Sequence, residues 1–165
     1  RAGIPGILST WPSYLLSPAA DQKVIYESGG TLSRGNINGE IAGGVPDGHT
    51  GHHLLAVSVA GDFPMMIHAA KELGYNINNG NNGLAAPITM ELAIETGLPL
   101  HSGGHVAEYF KHVRGELTTV QRLWERGAIP DDQLLGAIGG VEDKIRGSLL
   151  AGRIRLQIDC PNYKG

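Results

Sequence analysis

The sequence predicts one domain of the α+β class over residues 1–165, and three observations carry that prediction. Long stretches of three-to-four apolar periodicity mark helices in the second half of the chain. Short extended or alternating runs mark strands near residues 23–27 and 152–158. Glycine and asparagine gather between the periodic segments, where turns are needed. With 41% hydrophobic and 18% charged residues, such a chain buries a real core.

Taken in order, residues 1–20 hold Pro5, Pro12 and Pro18 among Ile, Leu, Trp11 and Tyr14, which forbids a regular helix and predicts an ordered arm laid on the domain. Lys23 to Glu27 is a strand candidate, and the glycines and asparagines through Gly44 predict a small twisted hairpin region. Leu54 to Val59 reads as strand or buried loop, which places His52 and His53 at an element boundary. Asp62 is the expected N-cap of a helix with Pro64 in its first turn. That helix carries Phe63, Met66, Ile67, Ala70 and Leu73 on one face and stops at Gly74. His68 falls off the stripe and is expected to be exposed or merely packed.

Tyr75 to Gly83 packs five asparagines and two glycines into nine residues, the composition of a structured loop. Pro87 is expected to open a helix that Gly97 stops. Ser102 is expected to cap the longest helix, with Val106, Phe110, Val113, Leu117, Val120 and Trp124 at helical spacing up to Gly127. A last helix starts near Asp131 and turns Leu134, Ile138, Val141, Ile145 and Leu149 inward; its Gly136, Gly139 and Gly140 permit close approach of a neighbour. From Gly152 onward Ile154, Leu156 and Ile158 alternate with polar residues, as in a strand.

No apolar run is long enough to span a membrane, and the start at Arg1 lacks the layout of a signal peptide, so the chain is expected to be a piece of something longer. Its net charge of -3 argues against a polyanion binder working by bulk charge. Lys111, Arg114, Arg122, Arg126, Lys144, Arg146, Arg153 and Arg155 nevertheless fall in the last third, where a one-sided basic face is possible. Cys160 stands alone, so a metal must be held by His, Asn or carboxylate.

Chemistry concentrates between His49 and Tyr109, where six of the seven histidines lie. Imidazole serves near neutral pH as metal ligand or proton acceptor. His101 and His105, if helical, share one face about 5–6 Å apart. Adjacent His52 and His53 in an extended segment point to opposite sides and can divide two roles, one on a metal and one on a water. For phosphodiester cleavage, His52, His101 and His105 would hold the cation while His53 takes the proton of the attacking water. Three imidazoles favour Zn, Ni or Mn; an Asn82 carbonyl in the shell would move the balance toward Mg or Mn. His49 is either a partner to that site or a turn residue, and His112 belongs to the solvated helix face. Asn81 and Asn82 are turn formers first, one of which can also fix the base or touch the metal. Tyr109, one turn past His105, either reaches a phosphate or packs with its hydroxyl at the surface, and Glu108 is a solvated helix residue or else a partner to one of the histidines.

Gly51-His52-His53-Leu54-Leu55, then Gly74-Tyr-Asn-Ile-Asn, then Asn82-Gly83-Leu84 with Pro87, then His101-Ser-Gly-Gly-His105-Val-Ala-Glu-Tyr109, resembles the AHH/GHH group of HNH/endonuclease VII nucleases. The ordered combination covers roughly 60 residues and is far more specific than any of its parts. The resemblance implies a ββα-metal core, here within a catalytic core at 45–127 that a C-terminal helix and strand at 128–165 complete. It implies His52 as metal ligand, His53 as general base, Asn82 as the residue that orients the site or ligates, and His101 and His105 as the remaining ligands of one divalent ion. Tyr109 matches the tyrosine that often follows, and Tyr109, Lys111 and Arg114 are the substrate-binding candidates. The group consists of toxin domains of bacterial polymorphic toxins, including type VI secretion effectors. It therefore implies a DNA substrate, an immunity-protein inhibitor, secretion machinery engaged through preceding parts, and action in the cytoplasm of a target bacterium. An RNase of the same fold, a zinc-dependent hydrolase of peptide or amide bonds, and a non-enzymatic metal-binding interaction domain are the rival readings.

Overall fold

The computed structural model describes residues 30–165. The expected arm at 1–20 and strand at 23–27 lie outside them. The described residues form a small antiparallel sheet set against helices, the α+β arrangement expected from the sequence. Strand β1 is His49–His53 and β2 is Gly83–Pro87, paired so that His53 faces Gly83 and His52 faces Leu84. Between them lie a single turn of helix, α1 at Val57–Ala60, and α2 at Pro64–Glu72. After β2 come α3 at Met90–Thr96, α4 at Ala107–Glu125 and α5 at Leu134–Leu150.

The core follows the periodic stripes. Met66, Ile67 and Ala70 of α2, Tyr109, Val113, Leu117 and Val120 of α4, and Leu134, Ile138, Val141 and Ile145 of α5 are all buried together with Leu54, Leu55, Tyr75 and Ile77. Spacings of three and four keep one face of each helix toward this cluster. Leu73 departs from the expected face and is exposed, because α2 has already ended at Glu72 and the chain turns at Gly74 with φ 105°.

Several boundaries differ from expectation for local reasons. Phe63, not Asp62, is the N-cap of α2; the Asp62 carboxylate accepts from Arg114 Nε at 2.9 Å instead. Pro87 ends β2 rather than opening a helix, and Thr89 caps α3 by accepting from the Leu92 N–H. The helix expected from Ser102 begins only at Ala107, with Gly103 and Gly104 in the intervening turn and Ser102 bonded to Gln157. Within residues 30–48 the expected hairpin is absent: one 3-10 turn at Asn38–Glu40 and a single bridge from Thr31 to Asn76 take its place. The tail is not a strand. Leu156 is buried and its carbonyl accepts from Val106, but Ile158 is 64% exposed and the chain bends without a ladder partner.

The asparagine-rich loop is rigidly built. Its 3-10 turn at Gly80–Asn82 packs on α5, where Gly139 and Gly140 are buried and the Gly139 carbonyl accepts from Asn81. Buried Glu142 receives Tyr75 Oη at 2.7 Å, Asn79 Nδ2 at 3.2 Å and Asn81 Nδ2 at 3.0 Å. A buried carboxylate needs such donors, and here they attach the loop to the core helix α5 behind it.

Candidate active site

Three histidines from separate segments converge. His52 comes from β1, His101 follows α3 and is held by its N–H on the Pro87 carbonyl, and His105 sits just before α4. One ring nitrogen from each lies within 4.8 Å of the others. The ring centroids are 4.8 to 5.0 Å apart. Neither His101 nor His105 is helical, so the expected shared helix face is replaced by a turn through Gly103 and Gly104 that bends the two rings toward each other.

Hydrogen bonds decide which nitrogen of His52 is free. The Tyr109 hydroxyl donates its only proton to the Leu54 carbonyl at 2.6 Å, so it can only accept from His52 Nε2 at 2.9 Å. His52 therefore carries its proton on Nε2 and keeps the Nδ1 lone pair. His101 Nδ1 and His105 Nε2 are buried without any hydrogen-bond partner. Buried polar atoms of this kind are rare in a folded protein, and a cation among three neutral imidazoles would satisfy them. All three rings are poised for that: burial pulls the His52 value well below the usual imidazole range, and burial likewise lowers His101. Burial, with the neighbouring His101 and Arg34, brings His105 down to about 4. The donor set fits a divalent ion.

His53, next to His52 on β1, lines the same cavity of about 550 Å³ as His52, His101, His105 and Arg34. Its Nε2 stands 2.8 Å from Asn78 Oδ1, and burial lowers its value from the imidazole norm while the Asn78 contact opposes the shift. Among the described residues nothing bonds its Nδ1.

Other candidates stand elsewhere. Asn82 is fully buried and its amide is consumed by the backbone: Oδ1 accepts from Leu55 N–H at 2.7 Å, and Nδ2 donates to the carbonyls of Leu55 at 3.2 Å and Ile77 at 2.8 Å. It braces the turn that follows the histidine pair and offers no oxygen to an ion. Asn81 likewise serves α5. Tyr109 is buried with its hydroxyl committed, which removes it from the substrate. Lys111 lines a different hollow with Glu108 and His112, and Arg114 is paired with Asp62. His49 opens β1 opposite Pro87 with its Nδ1 at the Asp47 carbonyl, and His68 is exposed beside Glu72. Of the other basic residues in the last third, Arg146 is held by Asp143 and the Asn81 carbonyl, and Arg155 lies over the Tyr163 ring. Arg34 and Asn78 are the site residues that composition hides: one arginine in a glycine-rich stretch, one asparagine among five.

The sheet presents paired histidines, two further histidines reach it from the chain ahead of a helix, and the family match that accompanies this site places the chain among nucleases of the HNH type. Residues 34–145 match the family described as AHH, a nuclease family of the HNH/ENDO VII superfamily with conserved AHH, and the chain belongs to that family. No curated protein and no solved structure matches it. Here Gly51 stands where the family's alanine precedes the pair. A Cβ at that point would run into Asn38 Oδ1, which receives the Gly51 N–H, and would meet buried Ile37 Cγ2 at 2.7 Å.

Proposed function

We propose that this nuclease is a metal-dependent, sequence-nonspecific endonuclease that hydrolyses DNA phosphodiester bonds. The observation that carries the reading is the convergence of three histidines with unsatisfied or free ring nitrogens beside a fourth whose proton is held away from the cavity. His52, His101 and His105 would hold one divalent ion, with Zn, Ni or Mn favoured because Asn82 contributes no oxygen. When bound, such an ion supplies Lewis-acid stabilisation of the charge that builds on the phosphate and the leaving 3′ oxygen.

The rest is done by the chain itself. His53 accepts the proton of the attacking water on Nδ1 as the water oxygen bonds phosphorus and the phosphorus–oxygen bond to the 3′ side breaks. Arg34 faces the same cavity and offers a guanidinium to the phosphate, a bidentate match that a lysine does not reproduce. Tyr109 and Leu54 keep the His52 ring in its working tautomer. Contacts confined to the phosphate would cut without sequence preference, since they carry no information about the bases.

Biologically, we assign the domain to the antibacterial toxins its motif resembles, delivered by secretion machinery through a preceding part of the protein. It acts in the cytoplasm of the target bacterium and is restrained in the producer by an immunity protein. The test is plasmid degradation with and without EDTA, together with metal affinity. Activity should vanish with chelator and in His53→Ala, while His53→Ala keeps metal affinity and His101→Ala or His105→Ala loses it. Full activity in EDTA would sink the mechanism, and preferential cutting of RNA would move the substrate.

A further inference from the structure

We infer that Asn78 is the positioning residue of this reaction: one side-chain amide fixes the tautomer of His53 and ties the segment bearing Arg34 to the same point. The inference rests on the reading of His53 as the base. Three hydrogen bonds meet on the amide. The Gly35 N–H donates to Oδ1 at 2.8 Å, Nδ2 donates to the Ser33 carbonyl at 2.8 Å, and His53 Nε2 approaches Oδ1 at 2.8 Å.

These partners leave no choice of orientation. A backbone N–H can only donate and a carbonyl can only accept, so Oδ1 faces Gly35 and Nδ2 faces Ser33. His53 Nε2 therefore meets an oxygen that has no hydrogen, and must itself carry the proton. The lone pair is left on Nδ1. An imidazole without such a partner samples both tautomers, and in one of them Nδ1 cannot accept a proton.

The same amide grips both neighbours of Arg34. Residues 33–36 are exposed and belong to no helix or strand, so little else holds the guanidinium over the cavity. The contact is close, since a Cβ on Gly35 would stand 3.1 Å from Asn78 Nδ2. Asn78 is itself anchored: its N–H donates to Asn76 Oδ1 at 2.8 Å, and the adjoining turn is fastened to Glu142 of α5. Rigidity thus passes from the core helix through the asparagine loop to base and arginine together. Asp in place of Asn78 retains the acceptor but cannot donate to Ser33. Leu retains bulk and loses all three bonds.

The experiment reads the His53 ring by long-range 15N–1H NMR on the full chain, assigned against His53→Ala, alongside kcat, KM and metal affinity. The unmodified chain should show the Nε2–H tautomer alone. Asn78→Leu should show a mixture, with kcat lower by about 10- to 100-fold and metal affinity retained. Asn78→Asp should keep the single tautomer and recover kcat but show a raised KM, because the Arg34 segment is loosened. A mixed or Nδ1–H ring in the unmodified chain overturns the inference, as does a folded Asn78→Leu with an unchanged ring or with a loss of metal affinity equal to its loss of rate. If Asn78→Leu fails to fold, the unmodified ring and Asn78→Asp decide. No turnover in an unmodified chain that still shows the single tautomer overturns the proposed function instead, so the two failures are distinguishable.

Discussion

Replacing Asn82 by alanine separates a scaffold from a catalyst. The side chain makes three buried hydrogen bonds, to the N–H and carbonyl of Leu55 and to the carbonyl of Ile77. At about 1 kcal/mol net for each bond, and more where a buried group is left without a partner, the loss comes to about 3–5 kcal/mol. For a domain of this size each kcal/mol lowers Tm by about 2–4 °C, which places the expected drop at roughly 6–20 °C. Asn82→Asp should be worse than alanine, because it turns lone pairs toward two carbonyl oxygens and buries a charge. The assay is thermal unfolding paired with the cleavage rate per folded molecule well below the transition. The result that would refute the reasoning is an unchanged Tm with a hundredfold loss of rate, since that would give Asn82 a direct part in the chemistry.

Gly51→Ala, which restores the alanine of the family pattern, should destabilise the chain by about 1–3 kcal/mol in urea unfolding, because the new methyl meets Asn38 and Ile37; an unchanged midpoint would show that both give way freely. Arg34→Met should raise KM by about tenfold and flatten its dependence on salt, with metal affinity unaltered; the same KM and salt slope as the unmodified chain would remove Arg34 from the phosphate. The four site imidazoles all titrate below their ordinary range in the folded chain, with His105 at about 4, so the unfolded chain binds protons first as pH falls. Metal-free protein should therefore hold its full stability above pH of about 6.5 and lose it progressively toward about pH 4. A Tm as high at pH 5 as at pH 7.5 would contradict this.

What could be read from the sequence was whatever a period or a cluster encodes. Val113, Leu117 and Val120 recur at helical spacing and are buried as a stripe, and the histidines were conspicuous because so few residues separate them. What could not be read depended on partners far along the chain. Asp62 has the chemistry of a cap but answers Arg114, 52 positions away. Ser102 has it too, yet bonds Gln157 from the tail, and two glycines delay the helix. Leu156 alternates like a strand residue because burial of one side chain in two looks the same whether or not a neighbouring strand exists. Among five asparagines in nine residues the sequence singles out Asn81 and Asn82, but three-dimensional neighbours divide them otherwise: Asn82 to the backbone, Asn81 and Asn79 to Glu142, Asn78 to His53.

The bond between His52 and Tyr109 joins positions 57 residues apart. At translation rates of about 5–20 residues per second, that separation is roughly 3 to 11 seconds of growth at the ribosome. For most of this interval the emerging polypeptide owns the histidine pair but neither His101 nor His105, and until its end it lacks the phenol that orients the first. On the proposed mechanism, a truncated product ending before Tyr109 should leave nucleic acid intact.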